Sequence, residues 1–432
     1  MTAASERPDA RGDVRADERL DVAIVGAGAA GLAAAQALTT ARQTVVVLEA
    51  RGRIGGRVAT DRSFAPIPVG LGAELLHGDA ISTWDLVDGA GTATRSMGVP
   101  HERAPDGGWM PLGTGREHLG VSSDAPPPGD GETAATYLDR LGLGPSRRPV
   151  GARVLDVDSE GLHRWSAVDA RASGLLDPVG VDRGSDHHVV GGYDQLLAPL
   201  AAGIDIQLGH RVRRISRLPG RVELEVEAAG VIRTVVADRC VVTLPIGVLK
   251  ADDVVFDPPL PAQKQTAIEG LGSGDSVKLL YHLPTRAFPA VSSILDDPDL
   301  HPCSWWVASR GFEAVEGEVV VGWTSGDRAR ALLDLGREAA LRVGLAALRE
   351  LVGDPALTPV DATWYDWRAD PFARGAYSFV PAGAHDARAG LAAPTDDRVF
   401  WAGEATNVEA PMTVHGALDS GWRAAEELAS RR

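Results

Sequence analysis

The chain has 432 residues, of which 44% are hydrophobic and 24% are charged, the composition of a globular protein with a sizeable core. Its 59 acidic residues outnumber 43 basic ones, and the net charge of −16 argues against nucleic acid or an anionic membrane as the main partner. The two cysteines, Cys240 and Cys303, exclude a disulfide framework and a cysteine-built metal site, and we expect no metal.

Residues 1–19 are rich in Arg, Asp and Glu and contain no apolar run. This composition predicts a disordered tail and not a signal peptide. Elsewhere no uninterrupted apolar run approaches the roughly 20 residues that a membrane-spanning helix needs. We therefore expect a cytoplasmic protein, a monomer or a homodimer, that does not act at a membrane.

From residue 20 the chain has a strand–helix–strand rhythm. Residues 21–25 are apolar and β-branched, as in a buried parallel strand, and residues 29–40 predict an Ala-rich helix. Residues 44–48 predict a second strand. The turn between the first strand and the helix contains three glycines in the spacing G-x-G-x-x-G: Gly26, Gly28 and Gly31. This arrangement predicts a dinucleotide-binding unit.

Each glycine of the motif has its own physical reason. Gly26 permits a tight turn, Gly28 lets the backbone approach a pyrophosphate, and Gly31 lets the helix and the strand pack closely. The helix presents free N–H groups and its positive dipole end to the phosphates. Glu49 ends the second strand about 20 residues downstream, where a carboxylate can bind ribose hydroxyls. A lone glycine motif can be a mere turn, so the prediction depends on all of these parts together.

The segment after Glu49 helps to distinguish FAD from NAD. Two more glycines and three arginines follow it at once: Arg51, Arg53, Gly55, Gly56 and Arg57. Such a loop can surround phosphate, because guanidinium groups pair bidentately with oxyanions. On composition alone, a basic surface loop is the alternative.

The rest of the chain is less regular. Residues 100–184 are rich in Pro, Gly and Asp, most strongly at 104–130, which predicts loops and short helices. The remaining predicted elements are strands at 222–226, 231–236, 240–244 and 399–401, an amphipathic helix at 337–351 and a closing helix at 414–430.

The sequence resembles the FAD-binding flavoprotein amine oxidase superfamily. Residues 49–57 are similar to its stretch E-A-x-x-R-x-G-G-R. Five further blocks follow in the family's order: residues 72–78 (G-A-x-W-x-H-G), 190–200 (G-G-Y-x-x-L), 243–261 (P-x-G-V-L-K and F-x-P-x-L-P), 367–378 (the flavin-flanking segment of polyamine oxidases and lysine-specific histone demethylases) and 401–417 (the closing flavin motif). One block could arise by chance, whereas the ordered set could not reasonably do so.

The resemblance implies an α/β fold of two interleaved domains. A Rossmann-like FAD-binding domain would contain residues 20–99, 203–262 and 392–432. An α+β substrate-binding domain, with a mixed sheet plus helices, would contain residues 100–202 and 263–391. FAD would be extended, with its isoalloxazine ring at the domain boundary.

The resemblance also implies the residues that hold FAD. They are Gly26, Gly28, Ala30, Gly31, Glu49, Ala50, Arg51, Gly56, Arg57, Gly72, Ala73, Glu74, Val212, Trp367, Gly403, Glu404, Thr413, Val414 and Ala417. Gly26, Gly28 and Gly31 would contact the pyrophosphate and Glu49 the adenosine ribose. The backbone of Val212 would contact the adenine, and Glu404 the ribityl chain. The helix beginning near Val414 would direct its dipole at the reduced flavin. Because Ala376 stands where monoamine oxidases place the cysteine that bonds the flavin, FAD is expected to be non-covalent.

Lys278 is the first candidate for a catalytic role. It lies in the apolar run 276–283, where an unpaired buried charge would cost several kcal/mol, so a solvent-facing strand position is the plain interpretation. The resemblance implies instead that Lys278 contacts flavin N5 through a water and assists reoxidation by oxygen.

Aromatic residues are the next candidates. The resemblance implies that Tyr377 forms a catalytic, substrate-channelling wall perpendicular to the flavin and that Trp367 packs against its ring; core packing is the alternative for both. Thr413 stands where some amine oxidases carry an opposing tyrosine, which would widen the substrate side. Trp305 and Trp306 are candidates for the pocket lining or for a sheet core.

Glu74 and His77 are candidates for binding the substrate nitrogen. A carboxylate could pair with a remote ammonium, and an imidazole could donate or accept near the reacting amine. The structural alternatives are that His77 caps a turn and that Glu74 bonds to backbone.

The resemblance implies an FAD-dependent amine oxidase. Hydride would pass from the carbon alpha to a neutral amine nitrogen to flavin N5, giving an imine, and O2 would be reduced to H2O2. The first alternative is a bacterial secondary-metabolite oxidase acting on an amine or amide C–N bond. The second is a C–C desaturase of the same superfamily, which Lys278 and Tyr377 disfavour. A non-enzymatic chromatin reader is a third alternative, disfavoured by the acidic charge.

Overall fold

The structure is a computed structural model that describes residues 20–104, 107–111, 121–122, 124–143, 161–172, 176, 186–291, 293–295, 301–310, 312 and 316–431. The predicted tail at 1–19 and much of the loop-rich stretch 100–184 lie outside these residues. No helix in the described ranges is both long enough and apolar enough to cross a membrane.

The elements are numbered in chain order. The strands are β1 (Leu20–Val25), β2 (Val45–Glu49), β3 (Thr60–Asp61), β4 (Val69–Gly70), β5 (Leu75–His77), β6 (Thr94–Ser96), β7 (His101–Arg103), β8 (Trp109–Pro111), β9 (Asp186–Val189), β10 (Asp205–Leu208), β11 (His210–Leu218), β12 (Arg221–Ala228), β13 (Val231–Val242), β14 (Val255–Asp257), β15 (Gly272–Gly274), β16 (Ser276–Leu283), β17 (Ser293–Leu295), β18 (Ser304–Val307), β19 (Glu318–Ser325), β20 (Asp361–Trp364), β21 (Tyr377–Phe379) and β22 (Val399–Trp401). The helices are α1 (Ala29–Thr40), α2 (Thr83–Ala90), α3 (Ala134–Arg140), α4 (Ala167–Ala172), α5 (Ile246–Lys250), α6 (Ala262–Gly270), α7 (Gly326–Leu335), α8 (Arg337–Val352), α9 (Ala387–Ala392) and α10 (Val414–Ser430).

The first large sheet has the order β10-β2-β1-β13-β12-β11-β14, with β22 also beside β13. β10, β2, β1 and β22 run parallel to their neighbours, whereas β11, β12 and β13 form an antiparallel meander. The prediction of separate strands at 231–236 and 240–244 is wrong, because β13 is continuous. Its first half pairs with β12 and its second half with β1 and β22, so one long strand joins the two parts of the sheet.

Helices α1 and α10 cover one face of this sheet in a shared apolar core. Both helices have the predicted bounds to within a residue. Small residues allow the close approach, since a Cβ built at Gly421 of α10 would overlap the carbonyl oxygen of Ala30. The Ala-rich composition of α1 therefore serves helix–helix contact as well as helix–sheet packing.

The second large sheet has the order β20-β16-β19-β18-β17-β7-β8. Helices α7 and α8 pack on it, and Leu348 and Leu351 of α8 are buried in that core while Leu341 and Leu345 lie at its margin. The predicted helix at 337–351 is confirmed, whereas α7 was not predicted.

Three smaller sheets complete the fold: β5-β9-β6, β15-β21 and β3-β4. The α/β class is confirmed. The first large sheet takes its strands from 20–49, 205–257 and 399–401, and the second from 101–111, 276–325 and 361–364. The domain limits themselves stay a prediction.

Candidate active site

A cavity of about 540 Å³ is lined by residues of both large sheets. Every residue that the sequence analysis assigned to cofactor, substrate or catalysis lines it, with the exception of Gly31. The structure therefore brings together residues from Gly26 to Ala417, and the assigned roles stay predictions.

The glycine motif divides into two kinds of position. Gly26 has a φ of +104°, and Gly28 lines the cavity with no described atom within 4 Å of where its Cβ would be. Gly31 lies away from the cavity, and a Cβ there would overlap the carbonyl oxygen of Gly26. Gly31 thus allows α1 to pack against the turn, and its expected contact with the pyrophosphate stays a prediction.

Glu49 is fixed by backbone groups at the end of β2. Its carboxylate accepts hydrogen bonds from the N–H groups of Ala27 at 2.8 Å and Arg51 at 2.8 Å, and the residue is buried. These bonds use one lone pair on each oxygen, so further acceptor capacity remains toward the cavity. This geometry fits a ribose-binding carboxylate.

The arginines of the following loop bind the chain's own carboxylates. Arg51 donates to both oxygens of Asp370, at 2.7 and 2.8 Å. Arg57 donates from Nη1 to the Ala376 carbonyl at 2.7 Å and to Glu404 at 3.0 Å. Both side chains border the cavity, and their guanidinium groups connect segments of the chain that are distant in sequence.

Glu404 is almost fully engaged by protein groups. Besides Arg57, its carboxylate accepts from the Ser378 hydroxyl at 2.7 Å and from the N–H groups of Ser378 and Met412 at 3.1 Å each. Burial would raise its pKa, but the charges of Arg57 and Arg388 and these hydrogen bonds outweigh burial and lower the pKa. The carboxylate therefore organises the wall, and the predicted ribityl contact stays a prediction.

Backbone and helix termini form the remaining cofactor side. β14 pairs with β11 only from Arg214 onward, so the β11 edge at Val212, which lines the cavity, is not covered by β14. Thr413 caps α10, since its hydroxyl accepts from the N–H of Gly416 at 3.0 Å. Val414 and Ala417, in the first turn of α10, line the cavity.

Trp367 and Tyr377 lie on separate segments of the wall. Trp367 is 5% exposed, donates from Nε1 to the carbonyl of Leu71 at 3.1 Å and contacts the ring of Tyr365. Tyr377 begins β21, where it pairs with Gly274. The ring of Trp367 is thus held by a hydrogen bond and a ring contact, and the backbone of Tyr377 is held by strand pairing.

Lys278 is buried and paired, so the solvent-facing interpretation is wrong. Its side chain is 11% exposed, and Nζ lies 2.6 Å from Oε2 of Glu74, whose side chain is 10% exposed. Nζ also donates to the carbonyls of Gly70 at 3.1 Å and Gly72 at 2.7 Å. Glu74 is consequently not a free carboxylate awaiting a substrate ammonium, which differs from the substrate role predicted for it.

His77 is the candidate substrate residue with an open side. Its Nδ1 lies 3.0 Å from Asp186, and the side chain is 55% exposed at the cavity. Desolvation lowers the pKa of His77, but the hydrogen bond and charge of Asp186 outweigh it and the pKa is raised. Asp186 was not singled out in the sequence, because only the pairing of β5 with β9 brings it opposite His77.

Three tryptophans line the substrate side of the cavity. Trp305 and Trp306 are both buried and both contribute to the lining, so core and pocket roles coincide. Trp323 was missed by sequence reasoning; it lies opposite Lys278 in the register of β16 and β19 and donates to the Ser276 hydroxyl at 2.7 Å. Strand pairing, which no local pattern reveals, was the missing signal.

No group of three or more His, Cys, Asp or Glu side chains able to hold a metal ion occurs in the part of the chain that the structure describes. Both cysteines are buried, and neither belongs to the cavity lining formed by the described residues. The cavity chemistry is thus that of glycines, carboxylates, guanidinium groups and aromatic rings.

Comparison with known proteins agrees with this site. The family model described as flavin containing amine oxidoreductase matches residues 29–118 and 133–429. Polyamine oxidase 3 of Oryza sativa subsp. japonica is 33% identical over 439 residues, covering 94% of this chain and 89% of that protein. Polyamine oxidase 2 of Arabidopsis thaliana is 31% identical, with 95% and 88% covered.

A solved structure of putrescine oxidase bound to putrescine has a TM-score of 0.80 and 23% identity, covering 96% of this chain and 100% of that one. Cyclohexylamine oxidase from Brevibacterium oxydans has a TM-score of 0.77 and 21% identity, with 96% and 99% covered. These likenesses show the fold. The family match and the two curated relatives establish that this chain belongs to the flavin-containing amine oxidoreductase family and is an amine oxidase.

Proposed function

We propose that this amine oxidase binds FAD non-covalently and oxidises the C–N unit of a small aliphatic amine, with O2 as the electron acceptor. The observation that carries the proposal is the cavity described above. It joins the glycine turn and Glu49 of the first large sheet to Lys278 of the second, with Trp367 and Tyr377 in its wall.

The residues present fit FAD. Gly28 leaves open space beside the N-terminus of α1, where backbone N–H groups favour an anion. Glu49 offers acceptor capacity suited to ribose hydroxyls. The capped N-terminus of α10 directs its positive end toward the cavity, where negative charge on a flavin would be stabilised. Non-covalent binding is supported by Ala376 in the wall and by the position of both cysteines outside it.

A bound flavin supplies the two-electron acceptor for oxidation of the C–N unit. The chain's residues would prepare the amine, whose nitrogen must be unprotonated for its lone pair to assist the oxidation. Because Nδ1 of His77 is bound to Asp186, Nε2 is the ring atom that can take the ammonium proton. Trp306, Trp323 and Tyr377 would exclude water and contact the alkyl part of the substrate.

The substrate class is supported by the relatives. Proteins named polyamine oxidases are about one-third identical over nearly the whole chain, and the fold matches a putrescine oxidase. Putrescine, spermidine, spermine and cyclohexylamine are therefore the first compounds to test. A cytoplasmic location and a monomer or homodimer stay predictions from the sequence.

Purified protein should be yellow and release FAD into the supernatant on acid precipitation. Anaerobic addition of a substrate amine should bleach the flavin absorption band, and admission of O2 should restore the band with release of peroxide. As a matched variant, Lys278→Met should retain FAD but recover the band more slowly. A colourless protein that does not take up FAD would contradict the proposal. Bleaching by none of the amines would contradict the substrate class and favour the specialised-metabolite alternative.

A further inference from the structure

The three lysines of the sequence, Lys250, Lys264 and Lys278, share one unusual feature. Each ammonium group donates to three acceptors of the chain, which matches its three hydrogens. For Lys250 these are the carbonyls of Ile268, Glu269 and Leu271, and for Lys264 those of Gly390, Leu391 and Ala393. Lys250 is exposed and Lys264 is buried, so backbone carbonyls alone are sufficient to anchor a buried lysine at position 264.

Lys278 differs, because one of its three acceptors is a carboxylate. Gly70 and Gly72 supply two carbonyls, and Glu74 supplies Oε2 at 2.6 Å. Burying a carboxylate costs free energy unless its charge is paired and hydrogen-bonded. A third backbone carbonyl would anchor the lysine without that cost. The difference lies at the one lysine that lines the cavity.

The surroundings of Glu74 favour its ionised form. Trp306 donates from Nε1 to Oε1 at 3.4 Å, and Nδ1 of His188 lies 3.4 Å from the same oxygen. Burial would raise the pKa of Glu74, but the charge of Lys278 and the hydrogen bonds from Lys278 and Trp306 outweigh burial and lower it. The carboxylate is therefore an anion enclosed by groups of its own chain, with Lys278 on one oxygen and Trp306 on the other.

We propose that Glu74 is a positioning residue for Lys278: its carboxylate fixes the ammonium group at the cavity wall instead of binding the substrate amine. This inference rests on the proposed function in one respect, since that function places the flavin ring beside Lys278. Because the three hydrogens of the ammonium go to Gly70, Gly72 and Glu74, the group is held in one place at the cavity wall, and its charge is paired with that of the carboxylate.

The other two lysines show how an ammonium group is held without a carboxylate. Burial lowers the pKa of Lys250, and it lowers the pKa of Lys264 to about 7. With Gln at position 74, Lys278 would keep its two carbonyl acceptors, Gly70 and Gly72, but would have a neutral amide oxygen in place of the carboxylate. Its amine would then be held less tightly.

Residue-specific acetylation tests whether the amine is held, because an amine that donates to three acceptors must leave them before it reacts. The protein without added substrate is treated briefly with acetic anhydride at about pH 8, and each lysine is quantified by mass spectrometry. We expect Glu74→Gln to increase labelling of Lys278 about tenfold, because the variant loses a hydrogen bond between two charged groups. Lys250 and Lys264 are internal controls that should not change, and Glu74→Asp, which keeps the charge, should restore slow labelling. Unchanged labelling of Lys278 in a folded Glu74→Gln protein would overturn the proposal.

Steady-state kinetics distinguish positioning from substrate binding. If Glu74 acts through Lys278, Glu74→Gln should lower kcat and leave KM nearly unchanged, and adding it to Lys278→Met should cause no further loss. A selective rise in KM, or an additional loss in the double variant, would assign Glu74 to the substrate instead. Labelling does not depend on amine oxidation, so failure of the proposed function would leave the labelling result as an independent test.

Discussion

Arg388 and Asp169 form an ion pair whose side chains are only 1% and 4% exposed, with Nε and Oδ1 3.0 Å apart. The pair continues toward the cavity, because Arg388 donates to the Ser378 hydroxyl at 2.6 Å and that hydroxyl donates to Glu404 at 2.7 Å. Trp165 adds a hydrogen bond to Asp169 at 2.6 Å. A buried polar chain thus connects helices α4 and α9 to the wall that carries Tyr377.

Breaking this pair on one side should be costly. Arg388→Met leaves Asp169 buried without its cation, and we expect the free energy of unfolding to fall by about 3–5 kcal/mol. The double variant Arg388→Met with Asp169→Asn removes both charges while keeping an acceptor for Trp165, so it should cost less than the single change. Urea denaturation measures both. Equal stability of Arg388→Met and the unchanged protein would show that the pair adds nothing.

The glycine motif allows a test that separates folding from cofactor binding. A methyl group at Gly31 would overlap the carbonyl of Gly26, so Gly31→Ala should lower the free energy of unfolding by about 1–3 kcal/mol. A methyl group at Gly28 would enter the cavity, so Gly28→Ala should leave apoprotein stability unchanged. It should weaken FAD binding about tenfold or more, equivalent to about 1.4 kcal/mol. Denaturation of apoprotein and fluorescence titration with FAD give the two readings, and the reverse pattern would contradict both assignments.

The His77–Asp186 pair predicts a specific pH dependence. The pKa of His77 is raised and that of Asp186 is lowered, in each case because the partner's hydrogen bond and charge outweigh desolvation. The pair's contribution to stability should therefore be complete below the ordinary histidine pKa of about 6.5, while Asp186 is ionised, and disappear as the pH rises through the raised value. NMR titration of His77, assigned with His77→Gln, should give a pKa above 6.5 that falls in Asp186→Asn. A titration that Asp186→Asn leaves unmoved would mean that the pair does not form.

Glu404 should show the opposite dependence. Its pKa is lowered, so its contribution is present above the ordinary glutamate value near 4.5 and lost as the pH falls through the lowered value. Glu404→Gln should destabilise the protein at neutral pH by about 1.5–3 kcal/mol, the range for hydrogen bonds to a charged group. The difference from the unchanged protein should shrink below about pH 4.5. Thermal unfolding across pH tests this, and a difference that stays constant down to acid pH would contradict it.

Much of the local structure was predictable. The bounds of α1 and α10 and the strand β22 agree with the sequence patterns, because helix and strand periods, Gly turns and caps act over a few residues. The continuous β13 was not predictable, because its first half pairs with β12 and its second half pairs with β1 and β22. The apolar run around Lys278 indicated a strand but did not show whether the lysine faces solvent. That depends on Glu74, a residue distant in the sequence that the fold brings to the ammonium group.

The sequence by itself determined the nucleotide-binding turn, the order of the family's blocks and therefore the family, because each motif is a short stretch with its own steric or electrostatic reason. Only the tertiary structure decided which charges meet. Glu74 and Lys278 are 204 positions apart, and Arg57 and Glu404 are 347 apart. Contacts at such separations depend on how two sheets pack, and packing depends on the whole chain at once.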